Sequence, residues 1–280
     1  MKYQLIVDSC CELTQELKDE HGVISVPLKI TIDGKEYIDD ENIDMEEFLN
    51  ALAAVKELPK SACPSPGEYA ETFTANDADW VFVVTLSSKL SGSYNSAVQA
   101  AEIVAEEGKK VHVFDSKSAS AAQLLIAMKL IELIQSGLSA EDIIREGEKF
   151  IDSTQIYFIL EKTDNLVKNG RMNSFLGKAL AALNIKLVLG SDGDGNIKLV
   201  AKVRGGFDAA LEKLAQTIAD DHKGSSGNLV ITHCKNKIGV DSLLNKLDGK
   251  AKFEKIIVLP TGALSGMYAD IGGVLAAFNK

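Results

Sequence analysis

Hydroxyl side chains are concentrated in one short loop of the sequence. Residues 87–96 read SSKLSGSYNS, which places five serines and one glycine directly before a helical pattern. Backbone N–H groups at the start of a helix, together with hydroxyls, can bind an anion, and Gly92 would let the backbone approach it closely. Helix capping by Ser93 or Ser96 explains the same serines without a ligand, so both interpretations stay open.

A pentapeptide of this loop recurs near the end of the sequence. LSGSY occupies residues 90–94 and LSGMY occupies residues 264–268, where Met267 stands in the position of Ser93. The recurrence can be coincidence, or the two copies can be two halves of one site. A second serine-bearing loop, SACPSPGEY at residues 61–69, also precedes a helical pattern.

Common signatures of catalysis do not occur in the sequence. It contains neither a Walker motif nor GxGxxG, the usual phosphate-binding loops of nucleotide enzymes. His233 ends the apolar run NLVITHC, but no pattern of aspartate and serine marks it as the base of a catalytic triad. Residues 192–196, DGDGN, lack the closing glutamate of a calcium loop and are typical of a hairpin turn. We therefore predict no metal site and no cofactor.

The composition is that of a globular protein. Of its 280 residues, 46% are hydrophobic and 25% are charged, and the formal net charge is −10. Nucleic-acid binding needs a basic face, so this charge argues against a nucleic-acid partner. The first residues enter a strand pattern without an export leader, and no CxxC pair occurs. We therefore expect a cytoplasmic protein with four free thiols, Cys10, Cys11, Cys63 and Cys234.

The most apolar segment is AAQLLIAMKLIELI, residues 121–134. Lys129 and Glu132 interrupt it, and it is too short to span a bilayer. The pattern predicts a helix that is either a core element or one wall of a ligand cavity.

Three apolar runs in the first half, residues 3–9, 80–86 and 110–116, are typical of buried strands. Helical patterns separate them, which predicts right-handed βαβ units and a parallel sheet covered on both faces. Ligands bind such doubly wound sheets at the carboxyl ends of the strands. Asp8 lies at one of these ends, and the serine-rich loop follows another.

The predicted order of helices and strands changes in the second half, because residues 185–203 predict a hairpin that is followed by helices and single strands. The change falls near residues 150–156. We predict an α/β fold with two domains, in which residues 1–155 form a doubly wound, mostly parallel sheet and residues 156–280 form a mixed sheet. A hairpin and a helix around residues 28–60 are expected as a small insertion in the first domain.

Seven short motifs connect the chain to a known family. They read IVDSCCEL, KSACPSPGEY, LSSKLSGSYNSA, FDSKSASAAQ, LVKNGRM, VRGGFDAA and GALSGMYADIGG, in this order. With this ordered set, the chain resembles the DegV family of bacterial lipid-binding proteins over nearly its whole length. That family includes the fatty-acid-binding subunit of fatty acid kinase.

The resemblance implies a protein that binds one long-chain fatty acid. In the family the acyl chain lies in an apolar tunnel, and the carboxylate contacts hydroxyls near the domain junction. The positions that match the family's head-group motifs are Ser61, Ser91, Gly92, Ser93 and Tyr268.

Arg171 and Arg204 match two arginines of the family, and we expect them to contact the head group or a partner protein. In kinase-linked members a separate ATP-using kinase subunit phosphorylates the bound acid. The resemblance therefore implies a carrier without catalysis of its own. It is also compatible with transient contact with a membrane surface.

Two positions depart from the family pattern. Tyr268 stands where the family usually has a histidine, and Asn169 replaces the first of two glycines before Arg171. A tyrosine can donate a hydrogen bond to a carboxylate but cannot supply the charge of an imidazolium. Two alternatives stay open: an enzyme that transfers phosphate or hydrolyses a substrate through Ser91 or Ser93, and a ligand-binding regulatory protein without a lipid.

Overall fold

The computed structural model describes residues 1–173, 185–222, 224 and 227–280. Within these ranges the strands, numbered in chain order, are β1 (Tyr3–Asp8), β2 (Ile24–Val26), β3 (Lys29–Ile32), β4 (Lys35–Ile38), β5 (Lys60–Ala62), β6 (Trp80–Thr85), β7 (Lys110–Asp115), β8 (Thr154–Ile159), β9 (Ile185–Ser191), β10 (Ile197–Arg204), β11 (Asn228–His233), β12 (Lys255–Pro260) and β13 (Val274–Asn279). The helices are α1 (Gln15–His21), α2 (Met45–Ala54), α3 (Pro66–Thr74), α4 (Ser93–Ala105), α5 (Ala121–Gln135), α6 (Ala140–Ser153), α7 (Asp164–Lys168), α8 (Gly206–His222), α9 (Lys237–Leu247) and α10 (Ala263–Ala269).

Four parallel strands form the first sheet, in the order β2-β1-β6-β7. Alternate side chains of its strands point to opposite faces, as the period of two requires. Ile6, Val81 and Val83 pack in one cluster with α3 and α4, whereas Val7 and Phe82 pack in the cluster that contains α5. The predicted doubly wound parallel sheet is therefore confirmed.

Six strands form the second sheet, in the order β10-β9-β8-β13-β11-β12. Only β11 and β12 pair in parallel, and the other neighbours are antiparallel, so the predicted mixed sheet is confirmed. Helices α8 and α9 cover one face. The predicted boundary between residues 155 and 156 falls inside β8, and the division into two domains stays a prediction.

Helix α5 lies between the two large sheets. It contacts β1 and β6 of the first sheet and β8, β11 and β13 of the second. Ten of its fifteen residues are buried, and Ala121–Gln135 line neither of the two cavities described below, so α5 is a core helix. No helix of the described ranges is long and apolar enough to cross a membrane.

A small antiparallel sheet, in the order β4-β3-β5, carries the predicted insertion around residues 28–60. Its β3–β4 hairpin turns on Asp33 and Gly34, which have positive φ angles of 46° and 83°. Two successive positive φ angles are typical of a type I′ turn, for which Asp-Gly is a preferred pair. Helix α2 packs beside this sheet and also contacts α10.

The β9–β10 hairpin docks onto the loops of the first sheet at Gly195. Its carbonyl accepts a hydrogen bond from Ser87 Oγ at 2.9 Å. Gly195 has a φ of +97°, and a Cβ there would collide with Ser87 Oγ and lie 3.2 Å from Lys117 Cα. Gly193, two residues earlier in the same hairpin, has a φ of +99°, and a Cβ there would meet no atom within 4 Å.

These two glycines form a matched pair for testing the hairpin contact. We expect Gly193→Ala to cost about 1 kcal/mol of unfolding free energy, because only backbone strain is added. Gly195→Ala should cost roughly 1–3 kcal/mol more, because it adds a steric collision to the same strain. Urea unfolding of both variants measures the difference. Equal losses would show that the hairpin does not dock on Ser87 as described.

Candidate functional site

Two adjoining cavities lie where the loops of the first sheet meet the second sheet. The first, which we call the apolar cavity, has an open volume of about 780 Å³, which includes space open to solvent. Its walls come from loops of the first sheet, from the second sheet and from α10, and they include Leu86, Leu90, Phe158, Leu160, Leu264 and Leu275. The β9–β10 hairpin contributes another wall through Gly190, Ser191 and Gly195–Ile197.

The second, which we call the hydroxyl cavity, has an open volume of about 570 Å³, which also includes space open to solvent. Ser61, Ser91 and Gly92 line it but do not line the apolar cavity. The residues that line both cavities are Leu86, Leu90, Arg171, Leu264 and Tyr268. These shared walls place the apolar cavity directly beside a group of hydroxyls.

Ser61 and Tyr268 form a hydroxyl pair in the hydroxyl cavity. Ser61 lies on β5, Tyr268 lies on α10, and their oxygen atoms are 2.9 Å apart. A bond between two hydroxyls uses one of their two protons, so the other proton can be donated to a ligand. The pair joins segments that are 207 residues apart in sequence.

Two carboxylates from distant parts of the chain hold the N-terminus of α10. Asp39 accepts from the N–H groups of Ala263 and Leu264, at 2.8 and 3.3 Å. Glu12 accepts from the N–H group of Gly262. The first N–H groups of a helix have no partner within the helix and favour negative charge. These bonds therefore fix the helix that presents Tyr268 to the cavities.

Burial changes the acidity of both carboxylates. It raises the pKa of Glu12 to about 8, against hydrogen bonds that favour the charged form, and nearby Asp39 raises this pKa further. Burial also raises the pKa of Asp39 above its ordinary value. The positive charge of Lys18 opposes this rise in the pKa of Asp39.

A third buried carboxylate, Asp8, lies beneath the serine-rich loop. Its Oδ2 accepts from Leu86 N and from Ser93 Oγ, both at 2.8 Å, and its Oδ1 accepts from Gln123 Nε2 at 2.7 Å. Burial raises the pKa of Asp8 to about 6, although these hydrogen bonds stabilise its charged form. Asp8 thus connects the end of β1 to both ends of the segment Leu86–Ser93.

A sequence model of the DegV family, described as a family of uncharacterised proteins, matches residues 2–279. The chain belongs to the DegV family. A DegV domain-containing protein from Streptococcus gordonii is 34% identical over 284 residues, which cover 100% of this chain and 99% of the relative. The resemblance inferred from the seven motifs is confirmed.

Solved structures of DegV proteins share the whole fold. A DegV-family protein from Ruminococcus gnavus, refined with vaccenic acid, is 37% identical with a TM-score of 0.92, and the match covers 98% of this chain and 99% of the other. The Fatty Acid Kinase (Fak) B3 protein of Streptococcus pneumoniae, loaded with linoleic acid, is 31% identical with a TM-score of 0.89. That match covers 100% of this chain and 99% of the other.

The structure brings most of the sequence-predicted site residues together. Ser61, Ser91, Gly92 and Tyr268 line the hydroxyl cavity of this DegV protein, as does Arg171. Arg171 Nε and Nη1 donate to the carbonyls of Leu90 and Asn169, each at 2.6 Å. The arginine therefore fixes the loop that forms the boundary of both cavities.

Two predicted residues lie elsewhere. Ser93 is fully buried, lines neither cavity, and has its hydroxyl between Asp8 and Tyr69. Arg204 is exposed at the end of β10 and also lines neither cavity. The direct ligand contact of Ser93 and the partner contact of Arg204 stay predictions.

Capping by Ser93 or Ser96, which would explain the serine-rich loop without a ligand, is not present. The N-cap of α4 is Gly92, and Ser91 Oγ instead accepts from Ser93 N, the first N–H group of the helix. His233 Nδ1 accepts a hydrogen bond from Asn236 N at 3.1 Å. The side chain of His233 lines neither cavity. The sequence analysis singled out the strand end at Asp8 but not Glu12 or Asp39, whose partners on α10 lie more than 200 residues away.

The raised pKa of Glu12 has a consequence for stability. Between an ordinary value of 4.5 and about 8, the folded state keeps a proton that the unfolded state loses. The free energy of unfolding should therefore fall as the pH rises through this window, by at most about 1.4 kcal/mol per pH unit. Glu12→Gln should remove this fall, whereas exposed Glu16→Gln should leave it unchanged.

Urea unfolding of the three proteins between about pH 5 and about pH 8 measures the effect. Its readout is the difference in unfolding free energy between the wild type and each variant. Parallel profiles for the wild type and Glu12→Gln would contradict the assigned burial of this carboxylate.

Proposed function

We propose that this DegV protein binds one long-chain fatty acid, with the acyl chain in the apolar cavity and the carboxylate in the hydroxyl cavity. The observation that carries the proposal is that the two cavities adjoin, since Leu86, Leu90, Arg171, Leu264 and Tyr268 line both. A fatty acid has this same division into a long apolar part and a small acceptor group. The acids bound by the Ruminococcus gnavus and Streptococcus pneumoniae relatives support the assignment.

The apolar cavity accounts for most of the binding energy in this proposal. Burial of about sixteen methylenes at roughly 0.8 kcal/mol each contributes on the order of 12 kcal/mol before the costs of association and ordering. A hydrogen bond to the head group adds only about 1 kcal/mol net. Affinity should therefore follow chain length, while the hydroxyls mainly orient the acid.

The hydroxyl cavity supplies donors for the carboxylate. The Ser61–Tyr268 pair has one proton to spare, and Ser91 and Gly92 provide a further hydroxyl and an approachable backbone. Arg171 lies in the wall shared by both cavities and adds positive charge beside the head group. A tyrosine in the place of the family histidine keeps a hydrogen-bond donor at this point.

The proposal includes a role as carrier for a separate kinase. The Fak B3 protein of Streptococcus pneumoniae supports it, because its fold and length match this chain. In this role an ATP-using partner phosphorylates the acid, and this chain presents it without catalysis of its own. Within the described residues, His233 stands apart from Ser91 and Ser93 and from both cavities, which gives the serines no neighbouring histidine base. Arg171 and Arg204 are the proposed contacts with the kinase or head group.

A tyrosine variant tests whether the hydroxyl cavity binds the carboxylate. Tyr268→Phe removes one hydroxyl from the pair with Ser61 and should weaken a long-chain acid about five- to ten-fold, as the loss of about 1 kcal/mol implies. The methyl ester of the same acid is a weaker acceptor and should lose less than about two-fold. Tyr94→Phe is the matched control, because Tyr94 lines neither cavity.

Titration calorimetry of the acid and the ester against the three proteins measures these ratios. Equal losses for acid and ester in Tyr268→Phe would show that the phenol does not contact the carboxylate. A loss of similar size in Tyr94→Phe would point to a general disturbance of the fold instead.

A further inference from the structure

One oxygen atom of Asp8 closes the serine-rich loop. Oδ2 accepts from Leu86 N at the start of the segment and from Ser93 Oγ at its end, so a single acceptor joins its two ends. Asp8 is fully buried, and Gln123 Nε2 donates to its other oxygen. A buried carboxylate with these bonds is costly to move, so it is a fixed point beneath the loop.

The protons of this network can be followed from atom to atom. Ser93 has one hydroxyl proton and donates it to the ionised Asp8, so Tyr69 must donate to Ser93 Oγ across their 2.7 Å contact. The backbone N–H of Ser93 donates in turn to Ser91 Oγ at 3.2 Å. One of the two lone pairs of Ser91 Oγ thus accepts a hydrogen bond from the backbone of its own turn.

The proton of Ser91 remains available for a ligand. No acceptor for it lies within hydrogen-bonding distance among the residues that the structure describes, and Ser91 lines the hydroxyl cavity. Ser93, in contrast, is fully buried and has already committed its only hydroxyl proton. Ser91 is therefore the serine of this turn that both has a free hydroxyl proton and lines the hydroxyl cavity.

We propose that Asp8 and Ser93 are positioning residues, which aim the Ser91 hydroxyl at the carboxylate of the bound acid. The inference rests on the proposed function and adds the order in which the residues act. Asp8 holds Ser93, Ser93 sets the turn through its backbone, and Ser91 makes the contact. Ser93 then acts on the ligand only through Ser91.

A double-mutant cycle distinguishes this order from a direct contact by Ser93. At about pH 8, where Asp8 is ionised, Ser91→Ala and Ser93→Ala should each weaken a long-chain acid about five-fold, the scale of one hydrogen bond. The double variant should be no weaker than either single variant, because two residues that act in series share one loss. Ser242→Ala, in a helix away from the cavities, is the matched serine control.

Two Asp8 variants test the other end of the series. Asp8→Ala removes the acceptor and should weaken the acid as much as Ser93→Ala does. Asp8→Asn keeps an acceptor oxygen for Leu86 N and Ser93 Oγ. Gln123 Oε1 has no hydrogen-bond partner in the wild type, so a rotated Gln123 amide can accept from the new asparagine N–H₂. Asp8→Asn should therefore bind within about two-fold of the wild type. If Asp8→Ala fails to fold, the serine cycle and Asp8→Asn still decide the question.

The ratio of affinities for acids of different chain length separates positioning from general damage. Each variant should keep the wild-type gain per added methylene, because the apolar cavity is untouched. Additive losses in the serine cycle, or Asp8→Asn binding as weakly as Asp8→Ala, would overturn the inference. A wild-type protein that binds no long-chain acid would instead refute the proposed function, before any variant is compared.

Discussion

Helix α5 packs against both large sheets, and this double packing decides where the cavity walls lie. Its buried side chains contact β1 and β6 on one side and β8, β11 and β13 on the other. A shift of either sheet would open gaps around α5, which is unfavourable because protein interiors are closely packed. With the sheets fixed, the loops after β6 and β7 meet the β9–β10 hairpin, and the apolar cavity forms between them.

Buried carboxylates organise the polar end of the site. Asp8 closes the serine-rich loop, while Glu12 and Asp39 bind the first N–H groups of α10. In each case an acid from the first sixth of the chain holds a segment that lines the hydroxyl cavity. A carboxylate without a neighbouring cation is stabilised by several N–H and O–H donors at once, which makes each of these contacts specific in direction.

Local patterns predicted the elements, because their causes lie within a few residues. Ser65 and Glu68, which are three residues apart, form a complete capping box, and Asp33-Gly34 forms the hairpin turn. Asp44 and Glu47 have the same spacing but form only half of a capping box, because Asp44 caps α2 while Glu47 pairs with Lys35.

The contacts that build the site join residues far apart in sequence and have no local pattern. The bond between Glu12 and Gly262 spans 250 residues, and the one between Asp8 and Ser93 spans 85. The motif comparison found Ser61 and Tyr268 as separate positions, and only the fold shows that they form one pair.

The central claim is that the two adjoining cavities together hold one fatty acid. Native mass spectrometry of the purified protein, followed by organic extraction and mass analysis, tests it most directly. The account predicts close to one fatty acid per chain, whereas an empty protein that also fails to bind added long-chain acids would contradict it.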